Sequence, residues 1–197
     1  DAGLGAPSHA AQALEMGLSP QDILNEGLIK GMDVIGKRFK ANEIYVPEVL
    51  IAARAMKAGM ALIKKPLADT GVKPLGTFII GTVKGDLHDI GKNLVAMMME
   101  GAGFKIVDLA IDVSADKFMA AMKENRNALV GMSALLTNTM IGMEANIKAF
   151  REAGLDNPVI IGGAPVDEGY AKKINATGYA KDAATAVEVA KQILGIS

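Results

Sequence analysis

The chain has no cysteine, no tryptophan and only two histidines, His9 and His88, in 197 residues. Without cysteine there is no disulfide framework and no thiolate to bind a metal. An excess of one charge is also missing: 21 basic residues stand against 22 acidic ones, with no basic stripe or charged tail. Nucleic acid and membrane surfaces are therefore poor partners. No apolar run is long enough to span a bilayer and no signal peptide is visible, so a cytoplasmic protein is expected. What is present is a globular composition, 50% hydrophobic and 22% charged. The length suits one full-sized domain, or a domain with a smaller companion. The twelve methionines read as fillers of an irregular core.

The hydrophobic rhythm changes along the chain. Residues 1–66 read as helical, beginning with a short helix around Ala6–Met16. "LSPQDILNEGLIKGMDVIGKRF" offers Ser19 as N-cap, Pro20 at the first helical position and Asp22 in a box-like start. Leu24, Leu28, Met32 and Ile35 then recur at helical spacing. After "KANEIY", Pro47 opens another helix with Leu50, Ala53, Met56, Met60 and Ile63 on one face. Pro66 is expected to end it, just behind Lys64 and Lys65. Residues 67–76, "LADTGVKPLG", read as a linker. From Thr77, short apolar runs ("TFIIGTV", "FKIVDLA", "ALVGMSAL", "PVIIGG", "TGYAK") alternate with helical stretches. The predicted fold is α/β: an N-terminal helical bundle, then a flavodoxin-like (Rossmann-like) five-stranded parallel sheet over 77–197.

In such a sheet, ligands bind beyond the carboxyl ends of the strands. Three polar or Gly-rich segments fall there: "KGDLHD", "SALLTNT" and "GGAP". The first runs on as "GDLHDIGKN" and holds Asp86, His88 and Gly91. Such a turn could bind an anion, hold a metal or merely make a turn, and Asp86 and Asp89 could equally be helix N-caps. Yet an imidazole here points out of the sheet edge, and Asp86 can reach one ring nitrogen and leave the other as a ligand or base. Gly91 would let the following helix approach a bulky group.

Zinc wants several protein ligands, and His9 lies in a different segment. Ser133 in "GMSALL" does not sit in a G-x-S-x-G elbow, which argues against a Ser-His-Asp hydrolase. Ser133 also stands where a phosphoacceptor domain has Asp, and no G-x-G-x-x-G follows the first strand. What remains is a histidine completing the coordination of a metal already held by a cofactor. The plain alternative is a turn residue in a flavodoxin-like binding module.

"GDLHDIGKNLV", "SALLT" and "GGAP" at this spacing resemble the cobalamin-binding domain with its D-x-H-x-x-G, S-x-L and G-G signature. The matching residues are Asp86, His88 and Gly91, then Ser133 and Leu135, then Gly162 and Gly163. The stretch "ILNEGLIKGMDVIGKRFKANEIYVPEVLIAARAMKAGM" resembles the helical cap of corrinoid methyl carriers. From about Leu14 onward the chain is similar to the small corrinoid proteins of three-component methyltransferase systems, which act on methylamines, methanol, methoxy-aromatics or betaines. It also resembles the cobalamin-binding region of methionine synthase.

The resemblance implies cobalamin as cofactor, bound base-off with His88 as the lower cobalt ligand. Asp86 would accept the hydrogen bond from the other imidazole nitrogen, and Thr139 would add the relay hydroxyl. Gly85, Leu87, Asp89 and Ile90 would complete the cofactor-binding loop. The displaced nucleotide tail would run beside the first strand, touched by Ser133 and packed on by Leu135, with room left by Gly162 and Gly163. Thr137 and Ala164 are further contacts on this reading. Tyr45, Val46 and Val49 of the cap would touch the upper face; ordinary interhelix core is the alternative.

The implied function is methyl carriage without a catalytic residue beyond the cofactor. A substrate-specific corrinoid methyltransferase would load the methyl group, and a second methyltransferase would pass it to a thiol or tetrahydropterin. A reductive activation protein is a further implied partner. A corrinoid mutase subunit would lack the cap, and a cobalamin-binding regulator would need a DNA-binding helix-turn-helix. The short C-terminus at Ser197 favours a stand-alone protein over a methionine synthase fragment.

Overall fold

The computed structural model describes residues 5–69 and 73–196. The chain divides into a helical unit, essentially up to Pro74, and a sheet unit, essentially from Leu75 onward. The opening residues 1–4 and positions 70–72 of the expected linker lie outside the described residues.

In the helical unit, α1 is Ala6–Glu15. Ser19 caps the next helix: its Oγ accepts the Asp22 N–H at 3.0 Å and donates to Asp22 Oδ2 at 2.7 Å. After α2 (Pro20–Asp22) the helix widens into a π-helical segment, Ile23–Ile29, and returns to α geometry in α3 (Lys30–Lys40). The sequence does not foretell the widening, because apolar residues four apart line one face in either geometry. Leu24, Leu28 and Met32 are buried along this face.

Helix α4 is Val46–Asp69. The Glu48 carboxylate accepts the Tyr45 N–H at 3.0 Å, which is one half of a capping box. Val49, Met56 and Ile63, at seven-residue intervals, are its buried stripe. The expectation that Pro66 ends this helix is corrected: Pro66 lies inside it. Proline removes one N–H from the ladder and crowds the carbonyl a turn back. Three residues from the helix end, that loss touches only the final turn.

Among the described residues of the sheet unit, five strands lie parallel in the order β2-β1-β3-β4-β5. They are β1 (Thr77–Thr82), β2 (Lys105–Asp108), β3 (Leu129–Ser133), β4 (Val159–Gly162) and β5 (Gly178–Ala180). This is the flavodoxin-like order. The helices are α5 (Ile90–Gly101), α6 (Ala115–Glu124), α7 (Thr137–Glu152), α8 (Glu168–Lys173) and α9 (Ala183–Ile193). Phe78, Ile79 and Ile80 are consecutive and all buried. Successive residues of a strand point to opposite faces, so both faces of the sheet are covered. One layer packs Ile79, Val130, Val159 and Ile161 against Phe118, Met122, Met143 and Phe150. Phe118 and Phe150 meet in a tilted ring contact, with centroids 6.0 Å apart.

Register fixes what stands at the carboxyl edge. Thr82 pairs with Ser133, Ser133 with Gly162, and Gly162 with Ala180. The loops after β1, β3 and β4 therefore leave the sheet side by side.

Candidate functional site

The loop after β1 turns at Gly85, whose φ of +83° is a left-handed conformation that glycine adopts without strain. It then drives Asp86 inward, where its side chain is fully buried. Asp86 Oδ1 faces His88, accepting from the ring Nδ1 at 2.7 Å and from the backbone N–H at 3.1 Å. Asp86 Oδ2 accepts from the Thr139 hydroxyl at 2.6 Å and from the N–H groups of Leu135 at 2.8 Å and Leu136 at 3.4 Å. Asp86 is therefore no cap of α5. Its acceptors join the His88 turn to the entrance of α7.

Burial alone would raise the Asp86 pKa. The hydrogen bonds from Thr139, Leu135 and His88 outweigh it and hold the carboxyl well below the usual carboxylate range. An ionised carboxylate only accepts hydrogen bonds, so the shared proton sits on Nδ1 of His88. Nε2 is the other ring nitrogen of an imidazole whose side chain is 51% exposed. No hydrogen bond to Nε2 is found among the described residues. The backbone is held as well: the Thr82 hydroxyl donates to the His88 carbonyl at 2.8 Å. Thr82 was invisible to sequence reasoning, because a buried strand-end threonine carries no pattern of its own.

Near His88 four large apolar side chains reach the surface. Leu87 is 68% exposed, Ile90 76%, Leu135 44% and Leu136 41%. A side chain added at Gly91 would meet nothing within 4 Å, so open space lies over the start of α5. Asp89 accepts from the Asn93 amide at 3.0 Å across that first turn. Lys92, buried beside it, donates to both carboxylate oxygens of Asp108 at 2.8 and 2.7 Å.

Ser133 is half-buried, while Thr137, Gly163 and Ala164 are exposed on the same edge. Gly162 and Gly163 have reasons within the protein for being glycine. A Cβ would come 2.7 Å from the Ala180 carbonyl at Gly162 and 1.8 Å from the Ala134 carbonyl at Gly163. In the helical unit Tyr45 is exposed, Val46 half-buried and Val49 fully enclosed. Val49 thus has no surface to offer a ligand in this conformation, because it belongs to the interior stripe of α4.

Among the described residues no group of three or more His, Cys, Asp or Glu side chains is placed to hold a metal ion. A metal at His88 must bring its other ligands with it. The comparisons with known proteins identify the family. The B12 binding domain model matches residues 76–188, and a second B12 binding domain model matches residues 5–64. The chain belongs to the corrinoid protein family.

This corrinoid protein is 41% identical over 181 residues to the dimethylamine corrinoid protein of Methanosarcina barkeri, covering 90% of this chain and 84% of that one. It is 40% identical over 190 residues to trimethylamine corrinoid protein 2 of Methanosarcina acetivorans, covering 94% and 88%. Among solved structures, the methanol:cobalamin methyltransferase complex from Methanosarcina barkeri matches with a TM-score of 0.85 at 29% identity, over 97% of this chain and 74% of that one. Cobalamin is the cofactor that the family implies, and the edge fits it. One imidazole nitrogen is free, large apolar side chains flank it, and the space over Gly91 is open. No helix among the described residues is long and apolar enough to cross a membrane.

Proposed function

We propose that this corrinoid protein is a methyl carrier that binds cobalamin base-off, with His88 Nε2 as the lower ligand of the cobalt. The observation that carries the reading is the 2.7 Å contact between His88 Nδ1 and Asp86 Oδ1, in which a buried anion orients a half-exposed imidazole. The cofactor, when bound, supplies the cobalt chemistry of methyl transfer. The chain's own groups hold it and manage a proton. Asp86 keeps that proton on Nδ1, because a carboxylate already accepting from Thr139 and Leu135 is a weak base. Asp86, His88 and Thr139 are the relay of this reading. Asp86 would steady the imidazole in the orientation that presents Nε2 to the cofactor.

Leu87 and Ile90 would pack on the corrin, and Gly85, Asp89 and Gly91 would shape the loop beneath it. Ser133, Leu135, Thr137, Gly162, Gly163 and Ala164 would line the path of the displaced nucleotide tail. The helical region, residues 1–66, is assigned the role of cap, with Tyr45 as its exposed candidate for shielding the transferable methyl group. The rest of the chain after the stretch 67–76 is assigned to the cobalamin-binding domain.

A substrate-specific methyltransferase would load the methyl group. A second, acting on a thiol or tetrahydropterin, would unload it, and a reductive activation protein would rescue oxidised cofactor. Relatives named for dimethylamine and for trimethylamine are almost equally similar to this chain. That supports donor choice by the partner enzyme rather than by the carrier.

The test is to load wild type and His88→Ala with hydroxocobalamin, remove free ligand and record visible spectra. The reading expects a histidine-ligated, base-off spectrum in wild type and its loss in the variant. Retention of the same spectrum by the variant would reject it.

A further inference from the structure

The turn that carries His88 is gripped from a second, distant place. Asp112 lies in the loop after β2, 27 residues from Gly85, and its carboxylate accepts the Gly85 N–H at 2.8 Å. Its second oxygen accepts from the Lys84 ammonium at 3.0 Å. Its own N–H donates to the Asp86 carbonyl at 3.1 Å. One residue thus holds three consecutive positions of the turn that aims Asp86 at His88. Next to it, Val83 and Val113 form an isolated parallel bridge that ties the two loops together.

The loop adopts an uncommon backbone to do this. Asp112 has a φ of +54° and Ala110 a φ of +68°, both left-handed and neither glycine. Such residues are uncommon and cost conformational energy, and they concentrate at functional sites. Packing does not demand this side chain, since the Asp112 carboxylate is 40% exposed. The Gly85 N–H first, then the Lys84 ammonium, hold that carboxyl below the usual carboxylate range, so it is an acceptor throughout neutral pH.

We propose that Asp112 is a positioning residue for the metal-binding histidine, fixing the turn 84–86 so that Asp86 stays aligned with His88 Nδ1. This rests on the His88 ligation proposed above. It predicts that the strength of that ligation depends on a residue whose hydrogen bonds go to Lys84, Gly85 and Asp86 and not to the imidazole.

Three variants separate the hydrogen bond from the backbone. Asp112→Asn keeps a carbonyl oxygen for the Gly85 N–H and tolerates a left-handed φ. Asp112→Gly keeps the backbone freedom and loses the acceptor. Asp112→Ser sets its only side-chain oxygen one bond nearer the backbone, and is the second variant without an acceptor at the carboxylate position. Each is loaded with hydroxocobalamin, and the visible spectrum is titrated with acid to find where histidine ligation is lost. Thermal stability of the cofactor-free protein is measured beside it.

The expectation is a wild-type midpoint for Asp112→Asn. Asp112→Gly and Asp112→Ser should weaken ligation about five- to tenfold, the scale of one lost hydrogen bond, which moves the midpoint to higher pH. Wild-type midpoints in both Asp112→Gly and Asp112→Ser, whatever their melting temperatures, would overturn the proposal. If wild type and His88→Ala give the same spectrum, the histidine reading itself fails, and the two failures are told apart.

Discussion

The two ends of the sheet each bury a polar side chain in a web of hydrogen bonds, and the webs differ in what they leave over. At the amino ends of β3 and β4, Asn157 is 4% exposed, and its amide nitrogen lies 3.2, 3.1 and 2.8 Å from the carbonyls of Asn125, Arg126 and Ala128. Arg151 closes the same loop by donating to the carbonyls of Leu155 and Asn157. Every group there ends on backbone, so the web is a seal. At the carboxyl ends, Asp86 is equally buried and equally well bonded, but one partner is a half-exposed imidazole. A buried polar network by itself is a statement about folding. The one that terminates in a half-exposed imidazole with a second ring nitrogen to offer is a candidate for chemistry.

That contrast can be broken in order of effect. The largest expected change is from His88→Ala, which should abolish the histidine-ligated spectrum while costing about 1 kcal/mol of folding stability, since a half-exposed imidazole gives up its hydrogen bond to the buried Asp86 carboxylate. A loss as large as that of Asn157→Ala, read by urea unfolding, would make the carboxyl-edge web a seal as well. Asp86→Asn should destabilise by about 2–3 kcal/mol, since one amide oxygen replaces two carboxylate oxygens that serve Thr139, Leu135 and His88. It should still bind corrinoid but transfer methyl groups at an altered rate; unchanged kinetics would remove Asp86 from the relay. Asn157→Ala should cost about 2 kcal/mol through carbonyls left without donors. Its corrinoid spectrum should match wild type, and a changed one would erase the distinction between the two ends.

The smallest effect concerns acid. The Asp86 pKa is lowered on folding, so between its folded value and the unfolded value of about 3.9 the unfolded chain binds more protons. Stability there rises with pH. The Asp86 contribution is complete above that unfolded value and is lost as pH falls below it. Wild type should therefore lose more melting temperature between neutral and acidic solution than Asp86→Asn does. Parallel curves would mean that other carboxylates dominate.

Much of this was legible in the chain itself. The five apolar runs, each too short for a helix, became the five strands, and Asp86, His88 and Ser133 fell at their carboxyl ends because parallel strands present one edge together. Ser19 with Asp22 announced a helix start that the hydrogen bonds bear out. Illegible were the features made by tertiary contact. Thr82 and Asp112 reach the His88 turn from a neighbouring strand end and a distant loop, and neither carries a local pattern. Pro66 looked like a stop, but a proline in a final turn removes one bond rather than the helix. Gly162 and Gly163 also have a reason the sequence does not display: their Cβ positions are taken by the carbonyls of Ala180 and Ala134.

The central claim is that Nε2 of His88 is a ligand to the cobalt. The most direct measurement is electron paramagnetic resonance of the one-electron-reduced, cobalamin-loaded protein, grown with ordinary histidine and with ¹⁵N-histidine. The account predicts that each cobalt line of the wild type is split into a triplet by the histidine nitrogen, that ¹⁵N-histidine turns the triplet into a doublet, and that no splitting in His88→Ala responds to the label. A wild-type splitting indifferent to the histidine label, or a label-dependent one in His88→Ala, would contradict it.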